Sequence, residues 1–232
     1  GRDPQDAPYF TQRICGICSA AHGVAAALAL EAMAQAEVPT NGLLLRNVAF
    51  AADMLMNHIT FLYVLALPDY FRAPAIPPLT PNPTGDYRLP AKYNQQLEQS
   101  YRLALTMRAV AHQLAALWSG KAPHQHGMVA GGFPLPPTAQ RVLQSFSLLA
   151  QLRGFVLDRM LPDLGLVGQF YPEYWLLGKS YGRFISYPTF RLNNEGKTAL
   201  KGGRVLQGRI QALCPDKITE DVTRSWYDGS QE

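Results

Sequence analysis

Charged residues are scarce in this sequence: Asp, Glu, Lys and Arg make up 16% of its 232 residues, whereas apolar residues make up 47%. So little charge leaves a large apolar surface, and we expect another subunit to cover part of it. The net charge of +4 is small, and the basic residues form no run interleaved with aromatic residues. The sequence therefore gives no support to binding of nucleic acid.

Cysteine is scarce as well. Of the three cysteines, Cys15 and Cys18 belong to one motif, and Cys214 lies far along the chain. Three cysteines in this arrangement do not make a disulfide framework. The Cys15–Cys18 pair therefore calls for another chemistry.

The sequence has no uninterrupted apolar run of membrane-spanning length. Its longest apolar run, residues 48–67, contains Asp53, Asn57 and His58. A single Asp at the centre of a bilayer costs about 2–3 kcal/mol. We therefore predict a buried core helix here rather than a membrane span.

Both ends of the sequence suggest a piece of a longer protein. The chain starts with Gly1 rather than Met, and its first residues lack the basic end and apolar middle of a signal peptide. Residues 227–232 complete no regular element. We expect residues 1–232 to be a single, incomplete domain of a longer protein.

Helical periodicity appears in four segments, which predict helices at residues 19–37, 42–67, 91–119 and 137–161. We expect Pro39 to end the first helix, and Thr40 or Asn41 to cap the second. Pro137 suits the first turn of the fourth helix.

Proline and glycine separate these helices. Prolines crowd residues 71–90, at positions 74, 77, 78, 81, 83 and 90, and Gly and Pro fill residues 120–137. Beyond Pro162, the β-branched and aromatic segments 184–187 and 204–206 predict brief strands. The predicted fold class is mainly α, a bundle of long helices with irregular loops and a few short strands.

The Cys-x-x-Cys motif has the features of half a soft-metal site. Cys15 and Cys18 are about one turn apart, and Gly16 lets the backbone bend between them. If a helix begins near Cys18, its N-terminus favours the thiolate form of that residue. His22, four residues later, is then on the same helical face, and Arg13 adds positive charge nearby.

The motif alone leaves three alternatives open. A structural zinc site needs four protein ligands, and Cys15, Cys18 and His22 supply three, with Cys214 as a possible fourth. A thioredoxin-like redox pair needs a βαβ context, which the sequence lacks. The two cysteines can also be inert members of the core.

The residues around the motif resemble the large subunit of nickel–iron hydrogenases. The first similar block joins residues 1–7, 11–18 and 22, around Arg13, Cys15, Cys18 and His22. Further similar blocks follow in the same order, at residues 46–47, 57–58, 63, 68–70, 120–124, 131–132, 179–182, 218–220 and 225–227. The resemblance covers essentially the whole chain and implies a fold of the hydrogenase large-subunit type.

The resemblance implies a centre of nickel and iron held by four cysteine thiolates, with CO and cyanide on the iron. Cys15 corresponds to a terminal nickel ligand and Cys18 to a ligand that bridges the two metals. His22 corresponds to a hydrogen-bonding partner of Cys18 rather than a ligand. The implied reaction is reversible oxidation of H2 to protons and electrons.

The sequence departs from this family in several respects. It has no second Cys-x-x-Cys, and Cys214 matches no ligand position. The family's proton-relay glutamate and the arginine placed over the metals have no counterpart within residues 1–232. We therefore predict that the chain alone forms no complete nickel–iron centre and is inactive alone.

Three polar residues share one stripe of the second predicted helix: Arg46, Asp53 and Asn57. Such a stripe needs polar partners, and it fits either the metal site or a satisfied buried network. Asn57 corresponds to a position where many members of the family have Asp. His58 is about 100° away from the stripe, and we expect it to be a packed core histidine.

The resemblance also implies partners. A separate small subunit carries iron–sulfur clusters, and His124 and His126 on the Gly/Pro loop would face its nearest cluster. Maturation proteins would install the metals and their diatomic ligands. In respiratory members the small subunit carries the export signal, so a large subunit without its own signal can still be periplasmic. We favour a membrane-associated periplasmic location over a cytoplasmic one.

Three rival functions remain. The quinone-site subunit of respiratory complex I resembles these hydrogenases, but it lacks the cysteines. A hydrogen-sensing regulatory hydrogenase keeps the metal centre and signals to a kinase. A structural zinc or thiol protein is the third rival.

Overall fold

A computed structural model describes residues 1–73, 75, 83–177, 179–219, 221 and 223. Several positions singled out in the sequence lie outside this described part of the chain. They are Pro74, Pro77, Pro78, Pro81, Glu220, Ser225, Trp226 and Tyr227.

Helices dominate the fold, which confirms the predicted class. Within the described residues, the six α-helices are α1 (Ala7–Thr11), α2 (Ser19–Ala34), α3 (Thr40–Thr60), α4 (Ala91–Ser119), α5 (Ala139–Phe155) and α6 (Leu161–Phe170). A π-helical turn, Phe61–Ala66, and a 3-10 turn, Leu67–Asp69, extend α3. A second π-helical turn, Val156–Met160, joins α5 to α6.

The ends of the first two long helices differ from the prediction. Helix α2 ends at Ala34 rather than at residue 37, because Gln35 adopts the left-handed conformation with φ 51° and already stops the helix before Pro39. Helix α3 begins at Thr40, and Pro39 occupies the cap position without a side-chain hydrogen bond. The predicted capping role of Thr40 or Asn41 is therefore wrong.

Helix α4 begins at Ala91 and ends at Ser119, as predicted, and Gly120 stops it with φ 75°. Helix α5 begins at Ala139 because the Thr138 hydroxyl accepts the N–H of Arg141 at 3.3 Å, so Pro137 lies outside the first turn. The prediction that helix stops near residue 161 is wrong. Pro162 sits in the first turn of α6, where its missing N–H removes no intrahelical bond.

In the described part of the chain after α6, five short strands are present: β1 (Arg183–Ser186), β2 (Thr189–Arg191), β3 (Thr198–Leu200), β4 (Gly203–Leu206) and β5 (Arg209–Gln211). Strands β1, β4 and β5 form an antiparallel sheet in that order, and β2 pairs with β3. The two predicted strands correspond to β1 and β4. The other strands, β2, β3 and β5, have three residues each and are too short for a period-2 pattern to show them.

The core lies between α3 and α4, and α5 also packs against α4. Small side chains such as Ala49 and Ala52 are fully buried on α3, so the two helices can approach closely. The indole of Trp118 on α4 donates to Ser145 Oγ on α5 at 2.8 Å. Burial of apolar side chains between these helices stabilises the fold by about 25 cal/mol per Å² of apolar surface removed from water.

The helical segment Thr40–Asp69 is apolar and long enough to cross a membrane by length and composition alone. In this chain it packs against α4, and 33% of its most apolar window is buried. A core helix has the same composition, so the pattern is only weak evidence for a span.

Candidate metal centre

The Cys-x-x-Cys loop connects α1 to α2 and folds around one sulfur atom. Cys15 Sγ accepts the N–H of Ile17 at 3.4 Å and the N–H of Cys18 at 3.3 Å. Cys18 is the residue directly before α2, as predicted. Both cysteines are half-buried and reduced. The loop therefore brings two thiols together at the start of a helix.

The two thiols differ in acidity. Hydrogen bonds from the thiol and N–H of Cys18, and from the N–H of Ile17, hold the pKa of Cys15 below its usual value. The pKa of Cys18 is raised, first because its thiol donates to Cys15 and then because of burial. The sequence predicted that the helix N-terminus favours the thiolate of Cys18. The structure gives that role to Cys15, because the free N–H groups of the loop point at its sulfur.

His22 follows Cys18 by one helical turn. Its N–H donates to the Cys18 carbonyl at 3.3 Å, and Thr11 Oγ1 donates to the His22 carbonyl at 3.2 Å. Within the described residues the imidazole has no hydrogen bond to Cys18, so its role as a thiolate partner stays a prediction. Arg13 is exposed, and in the same part of the chain its guanidinium forms no ion pair.

A buried glutamine, Gln12, precedes the cysteine loop and holds it by hydrogen bonds. The sequence analysis missed this residue. Gln12 is 1% exposed, and its Nε2 donates to the carbonyls of Pro8 and Gln125 at 3.0 and 3.1 Å. A Cβ on Gly23 of α2 would lie 3.0 Å from the Gln12 side chain. A glycine inside an Ala-rich helix was the available signal for this close contact.

Asp53 and Asn57 of the predicted stripe do lie side by side. Asn57 Nδ2 donates to Asp53 Oδ2 and to its carbonyl, both at 3.0 Å. Burial raises the pKa of Asp53 to about 6, although hydrogen bonds from Asn57 and Gln125 oppose the rise. The charge of Asp53 in turn raises the pKa of both Cys15 and Cys18.

Arg46, the third residue of the stripe, belongs to a separate buried network. It forms an ion pair with Glu31 of α2, with 2.6 Å between Nη2 and Oε1. The same Nη2 donates to the carbonyls of Val129 and Gly132 at 2.7 and 3.0 Å. Arg46 therefore connects α2 and α3 to the Gly/Pro loop. Of the two alternatives for the stripe, Arg46 fits a buried network of satisfied polar groups.

The three histidines His58, His124 and His126 differ in how far they are exposed. His58 lies beside the stripe of Arg46, Asp53 and Asn57 but is exposed, so the prediction of a packed core histidine is wrong. His124 is half-buried, has φ 57°, and its N–H donates to Ser19 Oγ at 3.3 Å. His126 is exposed, and its ring centroid lies 6.3 Å from that of Tyr9. Contact of His124 and His126 with a cluster stays a prediction.

Protein ligands for a complete centre are missing from the described residues. Among them, no group of three or more His, Cys, Asp and Glu side chains has the geometry to hold a metal ion. Cys214 is half-buried, and its Sγ lies 4.0 Å from the carbonyl of Ala212, two residues before it. The described donor set is thus the pair Cys15 and Cys18.

Comparison with known families identifies the fold. The family model of nickel-dependent hydrogenases matches residues 1–84 and 82–232. The chain belongs to the nickel-dependent hydrogenase family. This confirms the resemblance that the sequence blocks indicated.

Among relatives in this family, the chain is 30% identical over 240 residues to the periplasmic [NiFeSe] hydrogenase large subunit of Desulfomicrobium baculatum, covering 99% of this chain and 47% of that protein. It is 23% identical to the hydrogenase-2 large chain of Escherichia coli K12, covering 97% of this chain and 51% of that protein. The chain thus spans about half the length of these relatives.

Solved hydrogenase structures share the fold. The Ni-Fe-Se hydrogenase of Desulfovibrio vulgaris Hildenborough superposes with a TM-score of 0.92 at 34% identity, covering 98% of this chain and 48% of that one. The H2-activated [NiFeSe]-hydrogenase of Dm. baculatum gives a TM-score of 0.93 at 31% identity, covering all of this chain and 50% of that one. The predicted large-subunit fold is therefore confirmed.

Proposed function

We propose that this chain is part of the catalytic subunit of a nickel–iron hydrogenase, which oxidises H2 reversibly to protons and electrons. The observation that carries the proposal is the reduced pair Cys15 and Cys18, held one turn apart at the start of α2. Membership of the nickel-dependent hydrogenase family supports it.

The donor set fits half of such a centre. Thiolates are soft ligands suited to nickel and iron. The Cys15 thiol is more acidic than usual, because hydrogen bonds from Cys18 and Ile17 hold its pKa below the usual value, and this favours the thiolate. Cys15 and Cys18 would supply two of four thiolates, and the other two come from outside the described residues. When bound, the metals and their CO and cyanide ligands supply Lewis acidity toward H2.

The chain's own groups position this chemistry and handle protons. The backbone N–H groups of Ile17 and Cys18 orient the Cys15 sulfur. The Cys18 thiol holds a proton against that sulfur. His22, one turn along α2, is proposed as the hydrogen-bonding partner of Cys18. We do not assign the zinc alternative, because the four ligands of a structural site are not assembled among the described residues.

The proposed partner is a small subunit that carries iron–sulfur clusters and receives the electrons. His124 and His126 would face its nearest cluster, and maturation proteins would insert the metals. Exposed apolar side chains in the cysteine loop support a covered surface there: Ile14 is 70% exposed and Ile17 60% exposed. A periplasmic location is proposed from the name of the periplasmic relative, and membrane association is proposed from the resemblance to respiratory members of the family.

The test is H2-dependent dye reduction by the complete complex that contains this chain. Cys15→Ser and Cys18→Ser are each expected to abolish turnover, because a serine hydroxyl does not replace a bridging or terminal thiolate. Cys214→Ser is the matched control and is expected to retain full turnover. Full activity in either loop variant would overturn the proposal.

A further inference from the structure

Asp53 is a buried carboxyl group without a cation beside it. It is 4% exposed, and no Lys, Arg or His within the described residues forms an ion pair with it. Its hydrogen-bond donors are the neutral amides of Asn57, at 3.0 Å, and Gln125. Buried carboxylates are normally paired with a cation or serve a metal ion, so Asp53 needs a positive partner that the described residues do not provide.

The amide that holds Asp53 is tied to the cysteine loop. The carbonyl of Gln125 accepts a hydrogen bond from Gln12 Nε2 at 3.1 Å. The neighbouring N–H of His124 donates to Ser19 Oγ at 3.3 Å. Gln12 comes three residues before Cys15, and Ser19 directly follows Cys18. Gln125 and His124 therefore connect the Asp53 carboxyl to residues on both sides of the two cysteines in the sequence.

Asp53 is placed beside this loop by Gln125, whose amide holds the Asp53 carboxyl and whose carbonyl accepts from Gln12. A buried carboxylate creates a negative potential, which attracts a cation held by the nearby cysteine loop. Burial makes this interaction less screened than at a surface.

We propose that Asp53 is a positioning residue for the metal site, whose buried carboxylate strengthens cation binding by Cys15 and Cys18 through its field rather than by ligation. Asn57 and Gln125 fix the orientation of the carboxylate. This inference rests on the proposed function, because it takes the two thiolates to be metal ligands.

The test is a Co²⁺ titration of the reduced chain, with the sulfur-to-cobalt charge-transfer absorbance as the readout. Asp53→Asn is expected to weaken Co²⁺ binding about tenfold, with an unchanged band at saturation, because the thiolates still bind. The control is Asp158→Asn, which removes the same charge from an exposed position and is expected to leave the affinity within about twofold of the original.

Two further variants separate charge from packing. Asp53→Ser is neutral and smaller, and is expected to weaken binding as much as Asp53→Asn does. Asp53→Glu restores the charge and is expected to recover most of the affinity. Unchanged Co²⁺ affinity in a folded Asp53→Asn or Asp53→Ser variant would overturn the role of Asp53. Absence of any charge-transfer band in the original chain would instead count against the thiolate site, and so against the proposed function.

Discussion

The side chain of Gln12 lies against the backbone of Gly23, where an added Cβ would come within 3.0 Å of the glutamine Cγ, Cδ and Nε2 atoms. Gln12 cannot easily move away from Gly23, because it is buried and its side chain donates two hydrogen bonds. The contact packs the loop that carries Cys15 and Cys18 against helix α2.

We expect Gly23→Ala to destabilise the chain by about 1–3 kcal/mol, because overpacking displaces Gln12 from its hydrogen bonds. The control is Gly165→Ala in α6, where a new Cβ meets no atom within 4 Å. That change is expected to stabilise by up to about 1 kcal/mol, since Ala is the better helix former. Urea unfolding followed by circular dichroism measures both, and equal effects would contradict the packing argument.

Loss of the buried ion pair is expected to cost far more than loss of a surface one. Arg46 and Glu31 are both nearly fully buried, so Glu31→Gln leaves an uncompensated buried cation and is expected to cost about 3 kcal/mol. The exposed i,i+4 pair of Glu98 and Arg102 is the comparison, and Glu98→Gln is expected to cost at most about 0.5 kcal/mol. Similar costs in chemical denaturation would refute the distinction.

A third prediction concerns the junction of α3, α4 and α6. Tyr63 donates to the fully buried carboxylate of Asp163 at 2.7 Å, and Gln96 donates to its other oxygen at 3.0 Å. Tyr63→Phe removes one donor and is expected to lower the free energy of unfolding by about 1.5–3 kcal/mol. Tyr181 is 98% exposed, so Tyr181→Phe is expected to change it by less than about 0.5 kcal/mol. The opposite order in thermal unfolding would disprove this assignment.

The raised pKa of Asp53 leads us to predict that the stability of the metal-free chain depends on pH. Its pKa is about 6 when folded, against an ordinary value of 3.8, so the folded state binds more protons between these two values. Stability therefore falls as the pH rises from about 4 to about 6, by at most about 3 kcal/mol for this group. Asp53→Asn is expected to remove that loss and to stabilise the chain at pH 7 but not at pH 4. Denaturant titrations at both pH values decide, and equal effects at pH 4 and pH 7 would contradict the raised pKa.

The long helices could be predicted because they bury repeating apolar faces. Helix α4 was correct at both ends, since Pro90 and Gly120 mark them in the sequence. The end of α2 could not be predicted, because Gln35 takes a left-handed conformation that its residue type does not favour. Likewise, Pro162 suggested a stop, whereas the π-helical turn before it allows the helix to start again.

The candidate site was predictable only at its sulfur atoms. Cys15 and Cys18 have a recognisable spacing, but Gln12 and Gln125 act through contacts 113 residues apart in sequence. The stripe of Arg46, Asp53 and Asn57 was visible from helical periodicity. However, Arg46 pairs with Glu31, whereas Asp53 is a buried carboxyl near the cysteines. This difference depends on the neighbouring helix and loop, which helical periodicity does not show.

The predicted inactivity of the isolated chain follows from its ligand count. Cys15 and Cys18 are the two thiolates that the described residues bring together, so the chain expressed alone is expected to show no H2 uptake. A gas-exchange assay of the purified chain checks this, with the complete complex as the positive control. Sustained H2 uptake by the chain alone would refute the view that further ligands are required.

The most direct test of the central claim is the metal content of the complete complex that contains this chain. Mass spectrometry of nickel and zinc is expected to find about one nickel per complex in the original protein and in Cys214→Ser, as a nickel–iron site requires. Cys15→Ser and Cys18→Ser are expected to lose it. Zinc without nickel, or full nickel in the two loop variants, would contradict the assignment of Cys15 and Cys18 as ligands of a hydrogenase centre.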